Sequence, residues 1–404
     1  MVSLCFRKQP VKGLISKRFI QNMTTENHQA ELPLSGIRVY EIGTSVAAPF
    51  GTWILAAMGA EVIKVEPEGR GDDCRHWGPP FWNGTSAMFQ ALNRDKKSVT
   101  VDLSDPKDKA WLRNEMVTKA DVVLQNMRPG KVASLGLGST EICAENPKLI
   151  YCNIWAFGET GPMADKPGYD PLMQAYSGLM SLNGEEGRPP VRIGTSAIDM
   201  GTGMWCSIAI IAALFSRQKT GEGCVVDTAL YETALSWMTY HMAGYHATGD
   251  LPTPQGSGVQ GIAPYQAFEC SDGYLVVAAP NNKLFEQLKG VMGNPAWANE
   301  DRFKTNPDRF ENKPELIRLM TEILIKETRA HWREKLDVVG IPNSPIQLAD
   351  EVLADPQTQA LGIIQESVGD AMKLVGLPIK FNGQRPPLQN VAPALGADND
   401  TYKK

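Results

Sequence analysis

Asp199 is the residue of this chain best placed by type and spacing to do chemistry. It closes the stretch Val191-Arg192-Ile193-Gly194-Thr195-Ser196-Ala197-Ile198-Asp199, and Gly201 and Gly203 follow before a long apolar helical pattern begins. Glycines beside a carboxylate leave room for a bulky substrate atom. Backbone N–H groups and the dipole at a helix start would keep the carboxylate ionised. An accessible ionised carboxylate can serve as a nucleophile. Asp is also a preferred N-cap, so a plain capping role stands beside the nucleophilic one.

The segments that must position this carboxylate alternate strand-like and helix-like patterns. Residues 37–42, 61–66, 98–103, 121–126 and 149–154 read as strands. Pro49 opens a helix that Gly59 closes, and Asp105-Pro106 caps and starts another reaching Lys119. Strands separated by helices predict an α/β fold with a parallel sheet, whose ligand lies beyond the carboxyl ends of the strands. The loops after Ile42, Leu103, Asn126 and Ile154 therefore carry the site. Helices are expected near 170–182, 200–217 and 229–247, with Met204, Ile208, Ile211, Ala212 and Phe215 in the core. The chain divides into a leader at 1–30, a large domain at 31–225 and a smaller α+β domain at 226–335. Residues 336–404 are expected to return to the large domain and end in a tail.

Composition is that of an ordinary globular chain: 404 residues, 43% hydrophobic and 21% charged. A net charge of −5 argues against a nucleic-acid partner. No apolar run reaches the roughly 18 residues of a membrane span, so no membrane partner is expected. The seven cysteines form no C-x-x-C pair and read as reduced core thiols. The first thirty residues carry Arg7, Lys8, Lys12, Lys17 and Arg18 against Glu26, interleaved with Leu4, Phe6, Leu14 and Phe19. A basic amphipathic leader of this kind suits a mitochondrial transit peptide, with a disordered tail as the other reading. Initiation at Met23 would give a cytoplasmic form.

Other motifs fall away. Gly256-Ser257-Gly258-Val259-Gln260-Gly261 matches G-x-G-x-x-G, but Pro252 and Pro254 precede it and Pro264 follows. A dinucleotide fingerprint needs a strand before and a helix after, so a mobile glycine loop is the better reading. His241 and His246 are five apart and miss the spacing of a metal pair. No metal is expected.

Taken in order, several segments resemble the class III CoA-transferase family, which includes formyl-CoA:oxalate and carnitine CoA-transferases. They are 34–41 with Ala48-Pro49, 59–66 with Gly71-Asp72, 93–98 with 101–103, 121–130, 158–162, 167–170, the Asp199 segment and 219–223. The resemblance implies a Rossmann-like parallel-sheet large domain, a smaller domain and an interlocked homodimer. It assigns Asp199 as nucleophile, and it implies a coenzyme A thioester as substrate with no bound cofactor. Val46, Ala47, Val101, Asp102, Leu103, Ser104, Asn126, Met127, Arg128 and Asp170 fall where the family contacts CoA. The loop holding Gly258 and Gly261 falls where the family's glycine loop covers the site. Pro67 and Ser134 stand where some members place CoA-contacting arginines.

The chemistry so implied is attack by Asp199 on an acyl-CoA, giving an aspartyl anhydride, then an aspartyl CoA-thioester, from which an incoming acid collects CoA. N–H groups after Asp199 and in the glycine loop would stabilise the oxyanions. The α-methylacyl-CoA racemases are also similar, but carry Gly-His-Asp where this chain has Gly168-Tyr169-Asp170. A tyrosine of ordinary pKa about 10 is a poor base. Tyr169 is either a substrate or oxyanion contact or a packed loop aromatic. A non-catalytic CoA-binding protein is the remaining alternative. The overall look is closest to the succinyl-CoA:dicarboxylate members, implying succinyl-CoA as donor and glutarate or hydroxymethylglutarate as acceptor. Arg128, Arg188 and Arg192 are candidates for the distal carboxylate, or else solvated surface charges.

Overall fold

A computed structural model describes residues 31–366 and 372–403; the leader lies outside the described residues. The large domain runs β1 (Arg38–Ile42), α1 (Ala47–Ala57), β2 (Glu61–Pro67), α2 (Ala87–Asn93), β3 (Lys97–Val101), α3 (Pro106–Thr118), β4 (Val122–Gln125), β5 (Ile150–Trp155), α4 (Asp170–Tyr176), α5 (Ala197–Thr220) and β6 (Cys224–Ala229). Asp105 caps α3 by accepting from Lys107 N, and Pro106 sits where its missing N–H costs nothing. All six strands are parallel, in the order β3-β2-β1-β4-β5-β6. That is the doubly wound 3-2-1-4-5-6 arrangement, and its direction reverses between β1 and β4. Apolar side chains cover both faces, among them Val39, Val62, Leu124 and Ile150 on one and Tyr40, Ile63, Val99 and Val123 on the other.

The domain boundary differs from the one read in the sequence. Placing it at 226 would cut β6, which is a full member of the large sheet. The next helix, α6 (Leu230–Trp237), also belongs there, because Leu230, Ala234 and Met238 sit in the large core. After α7 (Thr239–Thr248) the second core begins at Ala263 and ends at Ile341. Its antiparallel sheet joins β7 (Tyr265–Cys270), β8 (Gly273–Ala278) and β9 (Asn343–Pro345), so the chain leaves the small domain after 345, not 335. The tail then makes a hairpin of β10 (Ile364–Glu366) and β11 (Lys373–Val375) and hooks onto the edge of the large sheet. There Ser98 N donates to Asp398 Oδ2 (2.9 Å) and Thr100 N to Asn399 Oδ1 (2.9 Å).

Two further expectations are corrected. The core-facing positions of α5 are Cys206, Ile210, Ala213 and Leu214. Met204 (51%), Ile208 (54%) and Phe215 (59%) are instead exposed, and α7 buries none of its residues. The helix is apolar around most of its circumference, so periodicity did not single out the inner face. It also meets the length and hydropathy of a membrane span, yet half of its most apolar 18-residue window is buried inside the protein. Among the described cysteines, Cys74, Cys152, Cys206 and Cys270 are buried, whereas Cys224 is exposed on the edge strand.

Candidate active site

A cavity of about 480 Å³ opens at the reversal point between β1 and β4. The loop after β1 supplies Thr44, Ser45, Val46 and Ala47; the loop after β4 supplies Asn126, Met127, Arg128 and Pro129; Asp199 and Tyr169 face it from the side. The two loops are tied together, since Thr44 N donates to Asn126 Oδ1 (3.1 Å) and Asn126 Nδ2 donates back to Thr44 O (2.9 Å). A buried charge cluster fixes the first loop from beneath. Lys64 Nζ donates to Gly43 O (2.9 Å) and pairs with Glu41 Oε1 and Asp72 Oδ2, each at 2.8 Å. Lys96 Nζ holds Glu41 Oε2 at 2.8 Å, and Asp72 Oδ1 accepts from Ser45 N (3.0 Å). Burial alone would push the Glu41 carboxyl up, but the two lysines hold it down at about 2.

Asp199 lies in the first turn of α5, three residues after the cap position, which is Ser196. It is therefore not the N-cap. The helix start is instead capped from across the chain by Asp170, whose Oδ2 accepts from Ile198 N (2.7 Å) and Asp199 N (3.2 Å). Asp170 Oδ1 accepts from Gln174 Nε2. Asp170 is 2% exposed and borders the cavity with both oxygens hydrogen-bonded, so it orients the Asp199 segment.

The expected ionising influence is also reversed. The free N–H groups of the helix start go to Asp170, and no described group donates to the Asp199 carboxylate. Burial first, and the negative charge of Asp170 second, push the Asp199 carboxyl up to about 7. The glycines do not clear space for substrate; they let helices meet. A Cβ on Gly203 would fall 2.6 Å from Ala47 O and 2.8 Å from Gly51 N, so α1 and α5 touch backbone to backbone. One on Gly201 would strike Trp237 at 2.5 Å.

The positions the resemblance gave to CoA divide between two adjoining cavities. Val46, Ala47, Asn126, Met127, Arg128 and Asp170 line the Asp199 cavity. Val101, Asp102 and Leu103 line a second, about 540 Å³, which shares Thr44 and Met127 with the first and includes Pro67. Ser104 lines neither; its N and Oγ donate to Asp102 Oδ1 at 2.8 and 2.7 Å and hold that loop. Tyr169 lines the cavity and is 59% exposed. Arg128 and Arg192 border the same cavity and Arg188 does not.

Gly258 and Gly261 are not brought to Asp199 within one chain. Gly256 lines a separate cavity with Glu185 and Lys313 and its N bonds Gly184 O (2.8 Å), Gly258 N donates to Gln255 O (2.9 Å), and Gly261 O accepts from Asn306 Nδ2 (2.8 Å). The N–H groups expected to hold oxyanions are thus committed or remote. Donor side chains that do border the cavity include Tyr169, Lys166, Arg128, Arg192, Ser45, Ser196 and Trp77. Sequence reasoning missed Lys166, Ser45 and Trp77, which sit in loops without a spacing signal. It also missed the Glu41–Lys64–Lys96 cluster, although charges inside strands buried on both faces are a readable anomaly.

Residues 34–399 match CoA-transferase family III. The chain is 35% identical to the human succinyl-CoA:glutarate CoA-transferase, over 88% of this chain and 83% of that protein. It is 36% identical to the acetyl-CoA:oxalate CoA-transferase of Acetobacter aceti, over 92% and 95% respectively. A solved CAIB/BAIF family protein from Brucella suis superposes with a TM-score of 0.86 at 35% identity, covering 93% of this chain and 99% of that one. That superposition runs over both the doubly wound domain and the antiparallel one. This chain belongs to CoA-transferase family III. It is an enzyme that moves CoA between carboxylic acids and takes a CoA thioester as substrate.

Proposed function

We propose that the enzyme transfers CoA from succinyl-CoA to a C4–C6 dicarboxylate such as glutarate or hydroxymethylglutarate, with Asp199 as nucleophile. One observation carries the reading: the Asp199 carboxyl borders the switch-point cavity with no described group bonded to it. The relatives that use succinyl-CoA with dicarboxylates support the choice of substrates.

Asp199 in its ionised form attacks the succinyl thioester carbonyl. The C–S bond breaks, giving a mixed anhydride and CoA thiolate. The thiolate then attacks the Asp199 carbonyl and succinate leaves, so CoA is held as an aspartyl thioester. The acceptor carboxylate attacks that carbonyl, releasing CoA thiolate and forming a second anhydride. CoA attacks the acceptor's acyl carbon, restoring Asp199. Each step exchanges one acyl bond for another, and Tyr169, Lys166 and Arg128 border the cavity where oxyanions form. CoA would run from Asp199 over Val46, Ala47 and Met127 to Val101, Asp102 and Leu103.

The exposed apolar faces of α5 and α7 suit a second copy of the chain, making a homodimer whose partner brings its 256–261 loop to the site. A monomer by sedimentation at assay concentration would contradict this. The basic leader would direct the protein to mitochondria, and a product begun at Met23 would stay in the cytoplasm; fractionation of the two forms checks it.

Incubation of the purified protein with succinyl-CoA and a panel of acids, followed by mass identification of CoA esters, tests the assignment. Glutaryl- or hydroxymethylglutaryl-CoA is expected. Transfer only to monocarboxylates or oxalate would overturn it.

A further inference from the structure

Beside the Asp199 cavity lies another space of about 780 Å³, which shares Val46, Met88, Arg192 and Ser196 with it as lining. Its walls are mainly apolar, formed by Phe50, Trp53 and Leu92 from the large domain and by Leu374 and Val375 from the β10–β11 hairpin. Arg94 also lines it, at the end of α2.

Arg94 is only 2% exposed, and its Nε and Nη1 are buried without a hydrogen-bond partner. Its Nη2 donates to Val375 O, and the guanidinium carbon lies 4.5 Å from the centre of the Trp53 ring. Trp53 Nε1 is likewise buried without a partner. The neighbouring carboxylate makes its hydrogen bonds elsewhere: Asp95 Oδ1 accepts from Gln389 N (2.9 Å) and Asn390 N (2.7 Å). Burial, the larger influence, pushes the Arg94 guanidinium down to about 10, while Asp95 acts in the opposite direction. Buried donors with no acceptor are costly, and a buried unpaired cation more so. The pair therefore places three unpartnered nitrogen donors and one positive charge in the wall of this apolar space.

The geometry points to Arg94, assisted by Trp53 Nε1, as the site that receives the distal carboxylate of the dicarboxylate, its methylenes lying along the apolar walls. This assignment rests on the dicarboxylate reading and replaces Arg128 and Arg192 as the specificity residues. Both of those are exposed, and Arg192 Nη1 already donates to Ile193 O (3.0 Å) and Gly194 O (3.3 Å).

The test compares glutarate with pentanoate, which has the same chain length and one carboxylate, using succinyl-CoA as donor for both. Any effect of the variant on the donor cancels in the ratio of their kcat/KM values. Arg94→Gln should lower the glutarate-to-pentanoate ratio by about 10- to 100-fold, the range of a lost charge-assisted hydrogen bond. Arg128→Gln should leave the ratio within about twofold, below what one such bond supplies. An unchanged ratio in Arg94→Gln, with both acids losing rate together, would mean that Arg94 only braces the hairpin, and would overturn the proposal. A crystal structure of the wild-type protein with glutarate decides the point without a variant. A carboxylate on Arg94 Nε or Nη1 supports the assignment; one on Arg128 or Arg192 overturns it. Failure of the underlying reading looks different, because the wild-type protein would then pass no CoA to glutarate at all.

Discussion

Replacing Asp170 by Asn isolates the charge that this residue imposes on Asp199. Asparagine keeps the shape, and its amide oxygen can still accept from Ile198 N and Asp199 N. One bond is lost, because the new amide nitrogen faces Gln174 Nε2, while Gln174 Oε1 is already committed to Ile193 N at 2.9 Å. That loss costs about 1 kcal/mol of stability. The Asp199 carboxyl stands at about 7 against an ordinary 3.8, and burial is the larger of its two causes. The charge of Asp170 therefore accounts for less than half of the rise. Removing it should lower the Asp199 value by about 1 pH unit, equivalent to about 1.4 kcal/mol.

Asp199 must be ionised to attack, so kcat/KM in the wild type should climb with pH and level off above about 7. In D170N the same limb should level off about one unit lower, near pH 6. Ionisation of the CoA phosphate is common to both proteins, so the displacement between the profiles reports the enzyme group. A limb that stays in place or moves upward in D170N would refute the reasoning, as would a wild-type limb near pH 4.

Gly203→Ala should lower stability by about 1–3 kcal/mol, because the new methyl meets the fixed backbone of α1 and not a movable side chain; a urea midpoint equal to that of the wild type would contradict the backbone contact. Glu41→Gln leaves Lys64 and Lys96 buried without their shared carboxylate and should cost about 3–5 kcal/mol by denaturation at neutral pH. Glu41 is held below its ordinary value of 4.5, so its contribution is present above that value and is lost as pH falls through about 2. The stability of E41Q should therefore depend less steeply on pH between about 5 and 2; curves that run parallel there would contradict the cluster's role.

Much of the scaffold was legible because parallel strands buried on both faces leave dense runs such as Val39-Tyr40 and Val122-Val123-Leu124. The switch-point loops followed from that pattern, and with them Val46, Ala47, Asn126, Met127 and Arg128. Asp199 was legible as a residue but not in its electrostatic state. That state depends on Asp170, brought up from 29 positions away, and no local pattern encodes the approach. The apolar wrap of α5 hid which face was inner, since a helix with two apolar faces has no single moment to read. Arg94 was invisible for the same kind of reason. Its isolation comes from Trp53 and a hairpin some 280 residues downstream, not from its neighbours in sequence.

The central claim is that Asp199 becomes covalently bonded during turnover. Enzyme incubated with succinyl-CoA and quenched with hydroxylamine should yield one modified peptide, carrying Asp199 as its hydroxamate, and D199N should yield none while still binding CoA. An unmodified Asp199 peptide from enzyme that is turning over, or CoA transfer that survives in D199N, would contradict the account.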